Sequence, residues 1–328
     1  MGKAESMTIL DEVLWAEERI RPHIRETPLD HSPVLSELGE CHVYCKLENL
    51  QHTGSFKARG AMNKVLSLSD EQRACGVVTA STGNHGAAVA YSLGQLEASG
   101  LVFVPEGAEP SKVRAIERLG ATVRYHGQDC AEAEVHARRY AAQKNMTYVS
   151  PYNDPQVVGG QGTIGMELVR QLPSIDAAFV SLGGGGLISG IAAYLKSVQP
   201  DIEIIGCSPE NSAVMIQSVL AGRILDLPLL PTLSDGTAGG IEAGAITFDL
   251  CRTLVDAYVT VTEEEIASSL RLFIDAHHLL IEGAAAVAVA SYLQTRQRFA
   301  GKTVIIVICG ANIGLATLRD VLNASVQI

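Results

Sequence analysis

The sequence predicts an α/β protein of two doubly wound αβα domains, each a largely parallel sheet layered with helices. Three observations predict it. Apolar, β-branched runs alternate with segments of helical period along most of the chain. A loop of four consecutive glycines, 183–186, joins a strand-like run directly to a helix-like one. The length of 328 residues also suffices for two buried cores, since domains cluster near ~100–150 residues.

Taken in order, "GVVTAS" (76–81) reads as a strand, "NHGAAVAYSLGQL" (84–96) as a helix and "GLVFVP" (100–105) as the next strand. "PSKVRAIERLG" (110–120) is a helix with Pro110 at its start and Gly120 at its stop, followed by strand "ATVRYHG". A second series begins near 160 with helix "GTIGMELVRQL", strand "AAFVSL" (177–182), helix "LISGIAAYLKSV" (187–198) and strand "IEIIGCS" (202–208). Residues 222–247, rich in Gly, Pro, Leu and Thr, read as a long irregular crossing. Thr262 with Glu265 forms a capping box that starts a helix after strand "AYVTV". A helix over 283–296 then leads to the last strand, "TVIIVICG".

Composition narrows the function. Hydrophobic residues make up 47% and charged residues 19%, an ordinary globular balance, and the net charge of −11 comes without a basic cluster; nucleic acid is not an expected partner. The apolar runs at 283–293 and 304–311 fall short of the ~20 residues that cross a bilayer. The N-terminus lacks a secretory signal, so a cytoplasmic protein is expected. Gly2 and Ser6 match a myristoylation pattern, but an unmodified N-terminus is the reading adopted. The seven cysteines are scattered and read as reduced thiols; Cys41 and Cys45, with His31 and His42 nearby, lack the second pair of a zinc site.

Three stretches can carry chemistry. In "SLGGGGLISG" (181–190), one or two glycines would serve a tight turn, whereas four let several N–H groups converge at a helix N-terminus to bind a phosphate. A dinucleotide would also need an acid at the end of the next strand, which instead ends at Cys207 and Ser208. "TASTGNHGAA" (79–88) brings Ser81, Thr82 and Asn84 to another helix N-terminus and suits a carboxylate or phenolic oxygen, or is a plain N-cap. Lys57, between Phe56 and Ala58, alone reads as a surface lysine on a short helix, like Lys46, Lys64 and Lys112. Beside a phosphate loop it becomes a candidate desolvated nucleophile. Phosphate cradle, lysine and Asn-bearing loop together fit pyridoxal 5′-phosphate, and Cys309, at the end of the last strand, can face the pyridine nitrogen.

In order and spacing, "GSFKARGA", "STGNHG", "GGQGTIGMEL", "SLGGGGLISG" and "ICGANIG" resemble the threonine/serine dehydratase and serine racemase group of fold-type II pyridoxal-phosphate enzymes, over nearly the whole chain. The resemblance implies a tryptophan-synthase-β-like fold, with residues 1–68 and 149–328 forming a large cofactor domain and 69–148 a small mobile domain that closes on substrate. It implies that Lys57 carries the cofactor with Phe56 beside it, that Asn84 meets the 3′-oxygen, and that Gly183, Gly184, Gly185, Gly186 and Leu187 hold the phosphate. Cys309 falls at the ring nitrogen, and Ser81, Thr82, Gly83, Asn84 and His85 in the loop that receives the substrate carboxylate. The implied activity is an ammonia-lyase acting on a small β-hydroxy amino acid such as threonine or serine, in a homodimer.

Departures from the family pattern matter. Ser208 stands where some members carry a cation-binding acid, Ala213 or Val214 where the second is expected, and Glu210 is displaced, so no divalent metal site is expected. Thr82 replaces the serine base of racemases, which favours elimination. The segment 233–249 is unlike common dehydratases and leaves a less usual substrate, such as 3-hydroxyaspartate, open. The sequence ends soon after "GANIG", so a C-terminal regulatory domain is not expected. Racemisation, β-replacement as in cysteine synthases, and a nucleotide- or cofactor-binding module without chemistry stand as alternatives.

Overall fold

A computed structural model describes residues 8–323; the Gly2–Ser6 pattern lies outside the described residues. The strands are β1 (Leu29–His31), β2 (His42–Lys46), β3 (Val77–Ala80), β4 (Gly100–Val104), β5 (Thr122–Tyr125), β6 (Thr147–Tyr148), β7 (Ala177–Ser181), β8 (Glu203–Pro209), β9 (Ala257–Val261) and β10 (Thr303–Val307). They form a six-stranded sheet of order β1-β2-β10-β7-β8-β9 and a four-stranded sheet of order β5-β4-β3-β6. Only the β1–β2 pairing is antiparallel among these ladders.

Helices on both faces explain why β7 and β10 read as continuous apolar runs rather than alternating ones: Ala177–Val180 and Val304–Val307 are fully buried. The capping box at Thr262 and Glu265 is formed and starts helix Glu263–His277. Cys309 lies two residues past the end of β10, in the loop after it, rather than on the strand. Most boundaries fall near those read from the sequence. The exception is helix Pro155–Gln171, which starts at the Asp154 N-cap, well ahead of the predicted start near 160. "PQVVGGQG" looks like a breaker, but its glycines serve contact between helices. A Cβ on Gly160 would stand 2.7 Å from both the Arg59 carbonyl oxygen and the Gly60 Cα of helix Lys57–Leu66, and one on Gly190 would stand 2.2 Å from the Val158 carbonyl oxygen. Tertiary contact overrides the low helix propensity of glycine there.

The helix that begins at Lys57 is anchored by charge. Arg59, fully buried, places its guanidinium 2.8 Å from each Glu48 oxygen and 2.7 and 2.8 Å from the two Glu167 oxygens. Lys46, read from sequence as a surface lysine, is also fully buried and donates to Glu167 Oε2 at 2.6 Å. Buried charges survive only when paired in this way.

Candidate active site

The loops after β3, β7 and β10 converge with the start of helix Lys57–Leu66, at the carboxyl ends of the strands where open α/β sheets place ligands. Lys57, partly buried, donates from Nζ to the Pro151 carbonyl at 2.7 Å, and its ammonium stands 5.1 Å from the centre of the Phe56 ring. Burial lowers it to about 8, against the opposing pull of Cys309 and Glu282. A lysine held there by a carbonyl rather than a carboxylate is readily neutral and nucleophilic.

Cys309 is brought to the same place: its carbonyl accepts from Phe56 N–H at 3.1 Å, and its thiol lies 4.0 Å from both Ser181 Oγ and Glu282 Oε1. Burial, reinforced by Glu282, pushes the thiol well above its ordinary range, so it stays protonated.

Glu282 was missed in the sequence. It precedes helix Gly283–Thr295 without capping it by a side-chain bond, and its carboxylate accepts from Asn84 Nδ2 at 2.9 and 3.0 Å and from Asn312 N–H at 3.0 Å. Burial raises it to about 7. The one available signal was a single acid between "LLI" and "GAAAVAVA". Two oxygens of one carboxylate facing one amide nitrogen are served by one of its hydrogens, which leaves the other Asn84 N–H for a ligand.

The Ser81–His85 loop follows β3 into helix Asn84–Gln95. Ser81 Oγ accepts from Gly83 N–H at 3.1 Å, and the Thr82 hydroxyl meets the thiol of Cys130 at the start of helix Cys130–Lys144. His85 is buried, with Nε2 3.0 Å from the Val149 carbonyl oxygen, so Nε2 carries the proton. Burial and nearby Lys57 lower it to about 3, which keeps the ring uncharged. With its N–H committed to Val149, the imidazole has no hydrogen for a carboxylate; any donor from this position is the backbone.

In the glycine loop Gly185 has φ of +84° and caps helix Gly186–Val198. A Cβ on Gly183 would lie 2.6 Å from the Thr237 carbonyl oxygen, and one on Gly184 would lie 2.5 Å from the Tyr152 ring. Leu187 is buried in the first turn of that helix. A walled cradle of backbone N–H groups is left, which fits a phosphate. Tyr152 and Thr237 are further residues that sequence reasoning missed. Ser208, at the end of β8, is buried and donates to the Leu182 carbonyl at 2.6 Å.

A cradle for phosphate, a nucleophilic lysine and a neutral thiol define a pyridoxal-phosphate site of the fold-type II class. The chain belongs to that family: residues 20–310 match the model of the pyridoxal-phosphate dependent enzymes. It is 40% identical over 317 residues to an L-threonine ammonia-lyase of Thermotoga maritima, covering 97% of this chain and 79% of that protein. The fold is also that of threonine deaminase isoform 2 of Solanum lycopersicum, with TM-score 0.93 and 32% identity over 99% of this chain and 95% of that one. Maize serine racemase is similar too, with TM-score 0.90 and 31% identity over 95% and 96% of the two chains.

Proposed function

We propose that the chain is an ammonia-lyase that converts a small β-hydroxy amino acid, threonine or serine, to a 2-oxo acid and ammonia. The observation that carries the reading is Lys57, held by the Pro151 carbonyl beside the neutral Cys309 thiol and lowered by burial to about 8. Pyridoxal phosphate, when bound, supplies the electron sink that acidifies the substrate's α-carbon. Lys57 Nζ, as a neutral amine, takes the α-proton. Backbone N–H groups at the start of helix Asn84–Gln95 hold the substrate carboxylate, with the Ser81 and Thr82 hydroxyls beside them. Gly183–Gly186 would hold the phosphate, the free Asn84 N–H the 3′-oxygen, and Cys309 Sγ would face the ring nitrogen. A neutral thiol supports a ring proton less well than a carboxylate would, which favours elimination over transamination. Residues 69–148 would close over the substrate and exclude water from its α-carbon.

The threonine ammonia-lyase and threonine deaminase relatives support this choice of reaction. A homodimer in the cytoplasm goes with the reading; among the described residues no helix is long and apolar enough to cross a membrane.

The test is a 2-oxo acid assay over threonine, serine and 3-hydroxyaspartate with wild type and Lys57→Ala. Wild type turns over at least one of them and shows a visible cofactor band, while the variant loses that band and ~10³-fold or more of the rate. Full activity in the variant sinks the mechanism. A racemised amino acid without 2-oxo acid points to a racemase, as maize serine racemase is, and a protein that takes up no cofactor points to a module without chemistry.

A further inference from the structure

The irregular segment 234–245 lies across the glycine loop, with the Thr237 backbone against Gly183. Tyr152 covers the next part: a Cβ on Gly186 would stand 3.0 Å from its Cα, and its ring lies over Gly184. The two covers are joined, because Glu242 N–H donates to the Tyr152 hydroxyl at 2.9 Å and Ile246 N–H to Asn153 Oδ1 at 2.9 Å.

Two cations reach this cover from helices packed on the four-stranded sheet. Arg138 Nη2 lies 3.0 Å from Glu242 Oε2, and Lys112 Nζ lies 3.6 Å from Asp235 Oδ2. Arg138 is held before it meets Glu242: Glu134 Oε1 is 2.8 Å away, and the guanidinium stacks 4.2 Å from the centre of the Tyr148 ring. A pre-ordered partner loses little side-chain entropy on pairing, which lifts the pair above an ordinary exposed one.

We propose that Arg138 and Glu242 are positioning residues for the cofactor site. Their ion pair, with Lys112–Asp235 as a second clasp, holds segment 234–245 and Tyr152 down on Gly183–Gly186, so the phosphate is retained more tightly while residues 69–148 are seated. The inference needs the family's cofactor but no particular substrate, so its readout is cofactor binding and stands apart from the turnover test above.

The dissociation constant of pyridoxal phosphate is measured by titrating apoprotein of wild type, Glu242→Gln, Arg138→Met and the double variant, following the visible band. At low salt each single variant weakens binding about two- to fivefold. The double variant is no weaker than Arg138→Met alone, because removing Arg138 already removes the contact with Glu242. Wild type and variants converge in about 1 M KCl as the pair is screened, and Arg138→Lys, which keeps the charge but loses the planar stacking on Tyr148, recovers part of the affinity. Wild-type affinity in the single variants, additive losses in the double, or an Arg138→Lys loss equal to that of Arg138→Met overturns the proposal.

Discussion

At the scale of single residues, the site depends on groups held in unusual protonation states, and Glu282 gives the cleanest measurable consequence. Burial lifts its carboxyl from 4.5 to about 7, with Asp235 adding to the shift and Asn84, Asn312 and Lys112 opposing it. Between those two pH values the folded chain keeps a proton that the unfolded chain has released. Stability contributed at this position is therefore present at low pH and lost as pH rises through that window, by about 3 kcal/mol in full. Glu282→Gln removes the titration while keeping an acceptor for Asn84. Urea unfolding of the two apoproteins across the window is expected to show wild-type stability declining relative to the variant as pH rises; a difference that stays constant with pH would refute the assignment.

At the scale of elements, the contact of helix Pro155–Gln171 with helix Lys57–Leu66 sets where Lys57 sits, and its closeness depends on glycine. Gly160→Ala would place a methyl 2.7 Å from the backbone of Arg59 and Gly60, which cannot yield as a side-chain tip can. The expected cost is about 1–3 kcal/mol, read as a lowered Tm, whereas Gly107→Ala, with nothing within 4 Å of the added Cβ, leaves Tm unchanged. Equal effects would mean the helices part without penalty. The same contact explains what the sequence left illegible. β3–β5, β7–β10 and helices such as Asn84–Gln95, Gly186–Val198 and Gly283–Thr295 were readable because their hydrophobic period is local, whereas β1, β2, β6 and the helices Ile9–Ile20 and Cys130–Lys144 were not read. Lys57, the Ser81–His85 loop and the tetraglycine loop were readable as contiguous motifs. The first turns of helix Pro155–Gln171 were not, because glycine lowers local propensity and gains its place only through a partner helix about 100 positions away, as in the Gly60–Gln161 bond.

At the scale of the whole molecule, the site is built from pieces that only the fold brings together: Asn84 and Glu282 stand 198 positions apart, and no spacing rule connects them. Those pieces belong to layers of unequal strength. β7 and β10 sit inside the largest apolar cluster, while β5 is mostly exposed and β6 is two residues long. The layer around the four-stranded sheet is held by smaller clusters, and it reaches the segment over the glycine loop through the Lys112 and Arg138 ion pairs. Local opening follows the amount of buried apolar contact. Native-state hydrogen exchange of the holoenzyme is therefore expected to show amides of β3–β6 exchanging at least ~tenfold faster than those of β7 and β10, a gap of about 1.4 kcal/mol or more. Saturation with L-alanine, which carries the amino and carboxylate groups but no β-hydroxyl to lose, is expected to slow exchange in helices Asn84–Gln95 and Cys130–Lys144 and to leave β7 unchanged. That pattern would make residues 69–148 a separately opening layer that ligand holds shut. Uniform protection across both sheets, unaltered by L-alanine, would mean that the layers open as one unit and that closure plays no part in shielding the reaction.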